Sequence, residues 1–238
     1  MKDAIKYLIK GKTELAGLID HTLLKPEATL SEVLELCRQA KHFGFANVCV
    51  NPCFVKDAFR ELTGSGVGVC TVVGFPLGTS ETLIKAAEAA AAIRAGASEI
   101  DVVINVGYLK GNMMAEFRRD LDVVVEAVKS EKPKTVVKFI LETCLLTDDE
   151  KLKACETAVV VGADCVKTST GFGKGGASVH DVRLLRKAVG PGIGVKASGG
   201  IRNLSDVLAM VAAGASRIGT SSGVSIINDY QSIQNPAF

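Results

Sequence analysis

Three lysines recur at one interval. Lys138, Lys167 and Lys196 stand 29 residues apart each time, in VVKFILE, CVKTST and GVKAS, three segments rich in β-branched residues. An ammonium is rarely found in an apolar strand without a partner or a task, because burying it is costly. If the interval is one βα repeat, the three lie at similar heights on successive parallel strands, about 4.8 Å apart between neighbours. Adjacent ammonium groups repel, and repulsion with burial lowers the pKa of at least one of them. An amine that is neutral near pH 7 is a nucleophile suited to forming a Schiff base with a carbonyl. The bland alternative, lysines at strand ends that simply reach solvent or an acid, is weaker for three in register than for one. Asp101, in the apolar run Glu99-Ile100-Asp101-Val102-Val103-Ile104-Asn105, offers a carboxylate to pair with an ammonium and relay protons, unless it faces outward or forms only a structural ion pair. Glu142, just past Lys138, is another candidate partner for that lysine.

Glycine-rich stretches follow the last three strand candidates. They are Gly171-Phe172-Gly173-Lys174-Gly175-Gly176, Ser198-Gly199-Gly200-Ile201-Arg202 and Gly219-Thr220-Ser221-Ser222-Gly223. Glycine lets backbone N–H groups approach an anion, and a helix N-terminus beyond favours negative charge. Each stretch is a weak signal alone; together they point to a phosphate site. The three histidines, His21, His42 and His180, show no metal-ligand spacing, so no metal and no cofactor is expected. His42 reads as structural, and His21 as structural unless it faces the active end. Cys49 and Cys53 lack a paired histidine and orienting acid and read as packing residues.

These groups need a scaffold. Strand candidates fall at 15–19, 47–50, 68–73, 99–105, 135–141, 165–168, 194–196 and 217–219, with helical patterns at 30–43, 55–63, 81–94, 113–131, 148–161, 179–189, 204–213 and 221–228. Two helix starts carry capping boxes, Thr29…Glu32 and Thr147…Glu150. Gly96-Ala97-Ser98, Gly162-Ala163-Asp164 and Gly214-Ala215-Ser216 each follow a helix and precede a strand, as left-handed helix ends do. Units of about 30 residues are the size of one βα repeat. No linker divides the chain, so residues 1–238 read as one catalytic domain. The expected fold is α/β, a (β/α)8 TIM barrel with a short N-terminal helix. An open doubly wound sheet is the runner-up, without a GxGxxG after its first strand.

Composition narrows the partners. Of 238 residues, 47% are hydrophobic and 23% charged, which excludes a disordered or collagen-like chain. Lys+Arg is 28 against Asp+Glu 26, a balance that suggests neither nucleic acid nor membrane. The seven cysteines contain no CxxC, and no apolar run approaches the ~18 residues of a membrane span, so a cytoplasmic setting is expected.

One family shares these residues nearly end to end. Asp20-His21-Thr22-Leu23-Leu24-Lys25-Pro26, the strand ending at Asn105, Glu142-Thr143, Val166-Lys167-Thr168-Ser169-Thr170-Gly171-Phe172, Val195-Lys196-Ala197-Ser198-Gly199-Gly200-Ile201-Arg202 and Gly219-Thr220-Ser221-Ser222 resemble the deoxyribose-phosphate aldolases. The resemblance implies a metal-independent class I aldolase of deoxyribose phosphate catabolism. Its reaction would be reversible cleavage of 2-deoxy-D-ribose 5-phosphate to D-glyceraldehyde 3-phosphate and acetaldehyde. It implies that Lys167 forms the Schiff base, that Lys196 perturbs it, that Asp101 exchanges protons with Lys196, and that Lys138 gives electrostatic support. It assigns Gly171, Gly199, Gly200, Gly219, Ser221 and Ser222 to the substrate phosphate. A homo-oligomer, dimer or tetramer, is expected. Some members end in a tyrosine that assists proton transfer, whereas this chain ends Asn235-Pro236-Ala237-Phe238. A phosphate-binding barrel isomerase or synthase would share the glycine loops but would not need two adjacent lysines. A barrel that binds a sugar phosphate without turnover would share the fold.

Overall fold

The parallel strands alternate side chains between two destinations. In the computed structural model, which describes residues 8–234, eight strands close in sequence order into a barrel, β1 pairing with β8. They are β1 (Ile19–Leu23), β2 (Asn47–Val50), β3 (Gly68–Val73), β4 (Glu99–Val103), β5 (Val136–Ile140), β6 (Cys165–Lys167), β7 (Gly194–Ser198) and β8 (Arg217–Thr220). Outward residues such as Ile19, Val48, Val69, Ile100, Val137, Phe139, Val166, Val195 and Ile218 join the helices in the main apolar core. Inside the barrel a separate small cluster, Leu24, Cys49, Cys70 and Val72, meets buried Asp20, Asp101, Lys138, Lys167 and Lys196. The main core therefore lies between barrel and helices, which leaves the barrel interior free to hold charge.

The helices are α1 (Lys12–Gly17), α2 (Leu30–Phe43), α3 (Val55–Leu62), α4 (Thr82–Ala95), α5 (Val106–Lys110), α6 (Met114–Glu131), α7 (Asp148–Val160), α8 (Val179–Val189), α9 (Leu204–Ala212) and α10 (Gly223–Gln234). Both expected capping boxes form, and a third, Asn203…Asp206, starts α9. The three α-to-β joints turn through left-handed glycines, with φ of 116° at Gly96, 83° at Gly162 and 108° at Gly214. None of the described helices is long and apolar enough to cross a membrane.

Three expectations need correction. Residues 15–19 are not the first strand: Leu15 and Ala16 are buried on α1, the short N-terminal helix, and the strand begins at Ile19. The true strand carries Asp20, His21 and Thr22, whose polarity reads as a loop until the barrel supplies a charged interior. Helix α5 interrupts a segment that shows no helical pattern in the sequence; the Asn105 side chain starts it by accepting the Tyr108 N–H at 3.2 Å. Cys53 is exposed on a 3-10 turn, Pro52–Phe54, rather than packed in a core. The C-terminal residues 235–238, where some family members carry a tyrosine, lie outside the described residues.

Behind the barrel wall, Lys85 of α4 is fully buried. Its Nζ donates to Asp120 Oδ2 of α6 at 2.8 Å and to the Val103 carbonyl at 3.0 Å. This pair clamps the C-terminal end of β4, two residues beyond Asp101, between two helices. An ion pair at this depth holds geometry more than it adds net stability.

Candidate active site

The lysine-lined interior forms as expected, with one change of level. Lys167 and Lys196 are register partners on β6 and β7, but Lys138 pairs with Cys165 and therefore sits two residues below Lys167. The equal sequence interval does not yield equal height, because β5 and β6 pair at a spacing of 27 residues (Lys138 with Cys165) whereas β6 and β7 pair at 29 (Lys167 with Lys196). Asp101, the register partner of Lys138, receives all three lysines: Lys138 Nζ at 2.6 Å on Oδ1, Lys167 Nζ and Lys196 Nζ each at 2.8 Å on Oδ2. Burial alone would push the Asp101 carboxyl up, but the three ammonium groups hold it well below the usual range.

Each outer lysine has a second anion. Lys196 Nζ also donates to Asp20 Oδ2, and Lys138 Nζ lies 2.7 Å from Glu99 Oε2. Burial works against both charges, yet Asp101 with Asp20, and Asp101 with Glu99, keep Lys196 and Lys138 well above the ordinary lysine range. Asp20 is desolvated too, and Lys196, Lys138 and Arg217 still bring it down to about 2. Asp20 Oδ1 accepts from Asn47 Nδ2 at 2.8 Å and from Arg217 Nη1 at 2.9 Å. Among the described groups within ion-pair distance, Lys167 has Asp101 alone, a carboxylate it shares with two other cations.

Lys167 also differs in access. It lines a cavity of about 310 Å³ at the C-terminal mouth of the barrel, whereas Asp101, Lys138 and Lys196 lie beneath the cavity and do not line it. Gly171, Gly199, Gly200, Gly219 and Ser221 line the cavity as the sequence suggests. Ser222 does not; its N–H donates to Thr220 Oγ1 at 2.9 Å, turning the chain into α10. Gly199 and Gly200 both take left-handed backbone, φ 89° and 80°, and a Cβ on Gly219 would stand 2.0 Å from Ser198 Oγ. Lys25 and Arg202 add positive charge to the same wall, and Thr22, Thr170, Phe172, Ser198 and Thr220 complete it with polar and aromatic groups.

Glu142 does not partner Lys138. Its backbone is left-handed, φ 54°, and its carboxylate accepts the Thr170 hydroxyl and, at 3.3 Å, the Thr170 N–H, holding the loop after Lys167. His21 turns outward: its Nε2 meets Gln39 Oε1 at 2.8 Å and its ring packs on Phe45. His42 is exposed, edge-on to Phe43. Cys49 is buried in the inner apolar cluster, so there the packing reading holds. Sequence reasoning did not single out Asp20, Glu99 and Arg217 as ionic partners, nor Lys25 and Arg202 as wall charges. The available signal was parity: Asp20, Glu99 and Arg217 each stand an even number of residues from an inward-facing strand position, namely Thr22, Asp101 and Gly219.

A closed (β/α)8 barrel with a carboxylate-bound lysine opening into an anion-friendly mouth is an aldolase architecture. Residues 15–230 match the model of the DeoC/LacD family aldolases. The chain belongs to this family. It is 56% identical over 217 residues to the deoxyribose-phosphate aldolase of Carboxydothermus hydrogenoformans, covering 91% of this chain and 95% of that one. To the deoxyribose-phosphate aldolase of Enterococcus faecalis it is 54% identical, covering 90% and 96%. Among solved structures, the tetrameric deoxyribose phosphate aldolase of Aeropyrum pernix superimposes with a TM-score of 0.89 at 36% identity, covering 98% of this chain and 97% of that one.

Proposed function

We propose that this protein reversibly cleaves 2-deoxy-D-ribose 5-phosphate to D-glyceraldehyde 3-phosphate and acetaldehyde, through a Schiff base on Lys167. The observation that carries the mechanism is the contrast among the three barrel lysines: of these, Lys167 alone reaches the cavity, and among the described residues it alone has no anion beyond the shared Asp101. Its amine attacks C1 of the open-chain sugar, and loss of water gives an iminium that can accept electrons. A base removes the proton from the C3 hydroxyl, the C2–C3 bond breaks, and its electron pair moves into the iminium to leave an enamine. Glyceraldehyde 3-phosphate departs, C2 takes a proton, and hydrolysis frees acetaldehyde and the lysine. Asp101, bonded at 2.8 Å to both Lys167 and Lys196, and Lys196, the register partner of Lys167, hold and return the protons these steps exchange. The high-energy carbanion is thus stabilised by the imine itself.

The substrate phosphate is held in the mouth by backbone N–H groups at Gly171, Gly199, Gly200 and Gly219, by Ser221, and by the charges of Lys25 and Arg202. Gly200→Val tests this contact. No atom lies within 4 Å of the added Cβ, so its effects come from the positive φ and from the bulk it places on the cavity wall. One charge-assisted hydrogen bond is worth about 1.5–3 kcal/mol, so KM for deoxyribose 5-phosphate should rise roughly tenfold or more. KM for unphosphorylated deoxyribose should change far less; equal losses on both substrates would assign the loop to folding. Residues 1–238 act as one catalytic domain in a homo-oligomer, a reading supported by the tetrameric relative. The cytoplasm is the compartment that suits seven free thiols. A coupled assay for glyceraldehyde 3-phosphate release from deoxyribose 5-phosphate tests the function directly: release at enzymatic rates is expected, and none would refute it.

A further inference from the structure

We infer that Arg217 sets the protonation of Lys167 by closing a charge-balanced ring beneath it. The ion pairs trace one circuit through the barrel: Lys138–Asp101 at 2.6 Å, Asp101–Lys196 at 2.8 Å, Lys196–Asp20, Asp20–Arg217 at 2.9 Å, Arg217–Glu99 at 3.4 Å and Glu99–Lys138 at 2.7 Å. Cations and anions alternate around it, three of each, so the ring sums to zero. Among the described residues, Lys167 is attached from outside, through Asp101 alone, at 2.8 Å. Its ammonium is the one positive charge at the centre that the ring does not balance. Shedding that proton leaves the whole buried assembly neutral, and desolvation strongly favours neutrality.

Arg217 is the member that makes this sum work from a distance. It begins β8, lines no part of the cavity, and bridges the two carboxylates that hold the outer lysines. A guanidinium keeps its charge under all relevant conditions, and its fork can serve both acids at once. The other titratable groups of the barrel interior around Lys167 come from β1 to β7. They are Asp20 on β1, Cys49 on β2, Cys70 on β3, Glu99 and Asp101 on β4, Lys138 on β5, Cys165 on β6 and Lys196 on β7, with Lys25 and Arg202 at the mouth. Burial pushes the Cys70 and Cys165 thiols up, so neither adds an anion near neutral pH; a hydrogen bond shared with Cys70 draws Cys49 down. Arg217 is therefore a positioning residue that acts through Asp20 and Glu99 on the lysine pair, without touching substrate.

The inference rests on Lys167 being the imine-forming lysine, and two opposed variants separate it from that reading. Arg217→Met leaves the ring with a net negative charge that the Lys167 ammonium would balance. The acid limb of kcat/KM, and of borohydride trapping with acetaldehyde on the Lys167 peptide, should then move to higher pH by about one unit or more, a tenfold loss of free amine at a given pH on that limb. Glu99→Gln leaves the ring with a net positive charge, so the same limb should move to lower pH. Arg217→Lys should restore the limb close to its original position. Folding is checked by circular dichroism; if Arg217→Met does not fold, the direction of the Glu99→Gln shift decides. Label on Lys167 in the unaltered enzyme with limbs that stay put, or shift the same way in Arg217→Met and Glu99→Gln, would overturn the ring. Absence of label on Lys167 in the unaltered enzyme would instead overturn the imine assignment and, with it, the ring's role.

Discussion

Replacing Lys167 with methionine should abolish aldol cleavage while leaving the protein at least as stable as before. Loss of the nucleophile removes the covalent route, and a fall of at least about 10³-fold in kcat is expected. The side chain is buried and of similar length to methionine, so little cavity is created. As an ammonium it shares Asp101 with two other cations, and as a free amine it leaves the surrounding ion pairs balanced without it, so its replacement removes no charge on which the fold depends. A gain of about 1 kcal/mol would raise Tm by roughly 2–4 °C in a chain of this size. Calorimetry beside the coupled assay checks both halves. Borohydride with acetaldehyde should add mass to the Lys167 peptide of the unaltered enzyme and to no lysine of the variant. Residual turnover above 10% with label on Lys138 or Lys196 would refute the assignment. An inactive variant that is also strongly destabilised would show that Lys167 supports the fold, contrary to the charge arrangement. Active sites commonly hold this kind of strain, in which function opposes stability.

Lys196→Leu should cost at least ~10²-fold in kcat, the low end for groups that move protons in a reaction. Lys196 faces Lys167 in register, and its Nζ joins Asp20 to Asp101. Without it, those two carboxylates keep Arg217 and Lys138 but lose the cation between them. The ammonium of Lys167 then becomes the natural replacement, so free amine is scarcer and the acid limb of the rate profile moves to higher pH. Above that limb some activity should return, but not all of it, because the proton relay beneath the imine is also broken. Breaking a buried network of this kind typically destabilises by about 3–5 kcal/mol, so the assay is run well below the melting point of the variant. Near-normal kcat with an unmoved pH profile would reduce Lys196 to a structural charge.

Helix starts, helix-to-strand joints and most strands were legible because their signals are local. Thr29 and Thr147 cap their helices through side chains three residues away, and Gly96, Gly162 and Gly214 take backbone that other residues resist. The main failure, the first strand, came where tertiary context reverses the local reading. Asp20-His21-Thr22 looks like a turn, and only a barrel with a charged lumen makes Asp20 an inward strand residue. Glu142 shows the same limit in a loop, since its left-handed backbone sends the carboxylate to Thr170 instead of to its near neighbour in sequence, Lys138.

By its sequence alone this protein declared eight βα units, a lysine interval that brings three amines into one barrel, and glycine loops at one end. Those features follow from periodicity, backbone propensity and spacing, which act over a few residues or one repeat. Tertiary structure alone decided which lysine is the odd one out. The lysines sit in near-identical apolar strands, and nothing local distinguishes their charges. The pairing of β5 with β6 lowers Lys138, and closure of the barrel brings Asp20, 176 residues before Lys196, against that lysine and sets Arg217 between two distant acids. Electrostatics inside a protein is a sum over all near charges, whatever their separation along the chain. Only the folded barrel fixes the terms of that sum, and it leaves Lys167 at the cavity as the unbalanced cation.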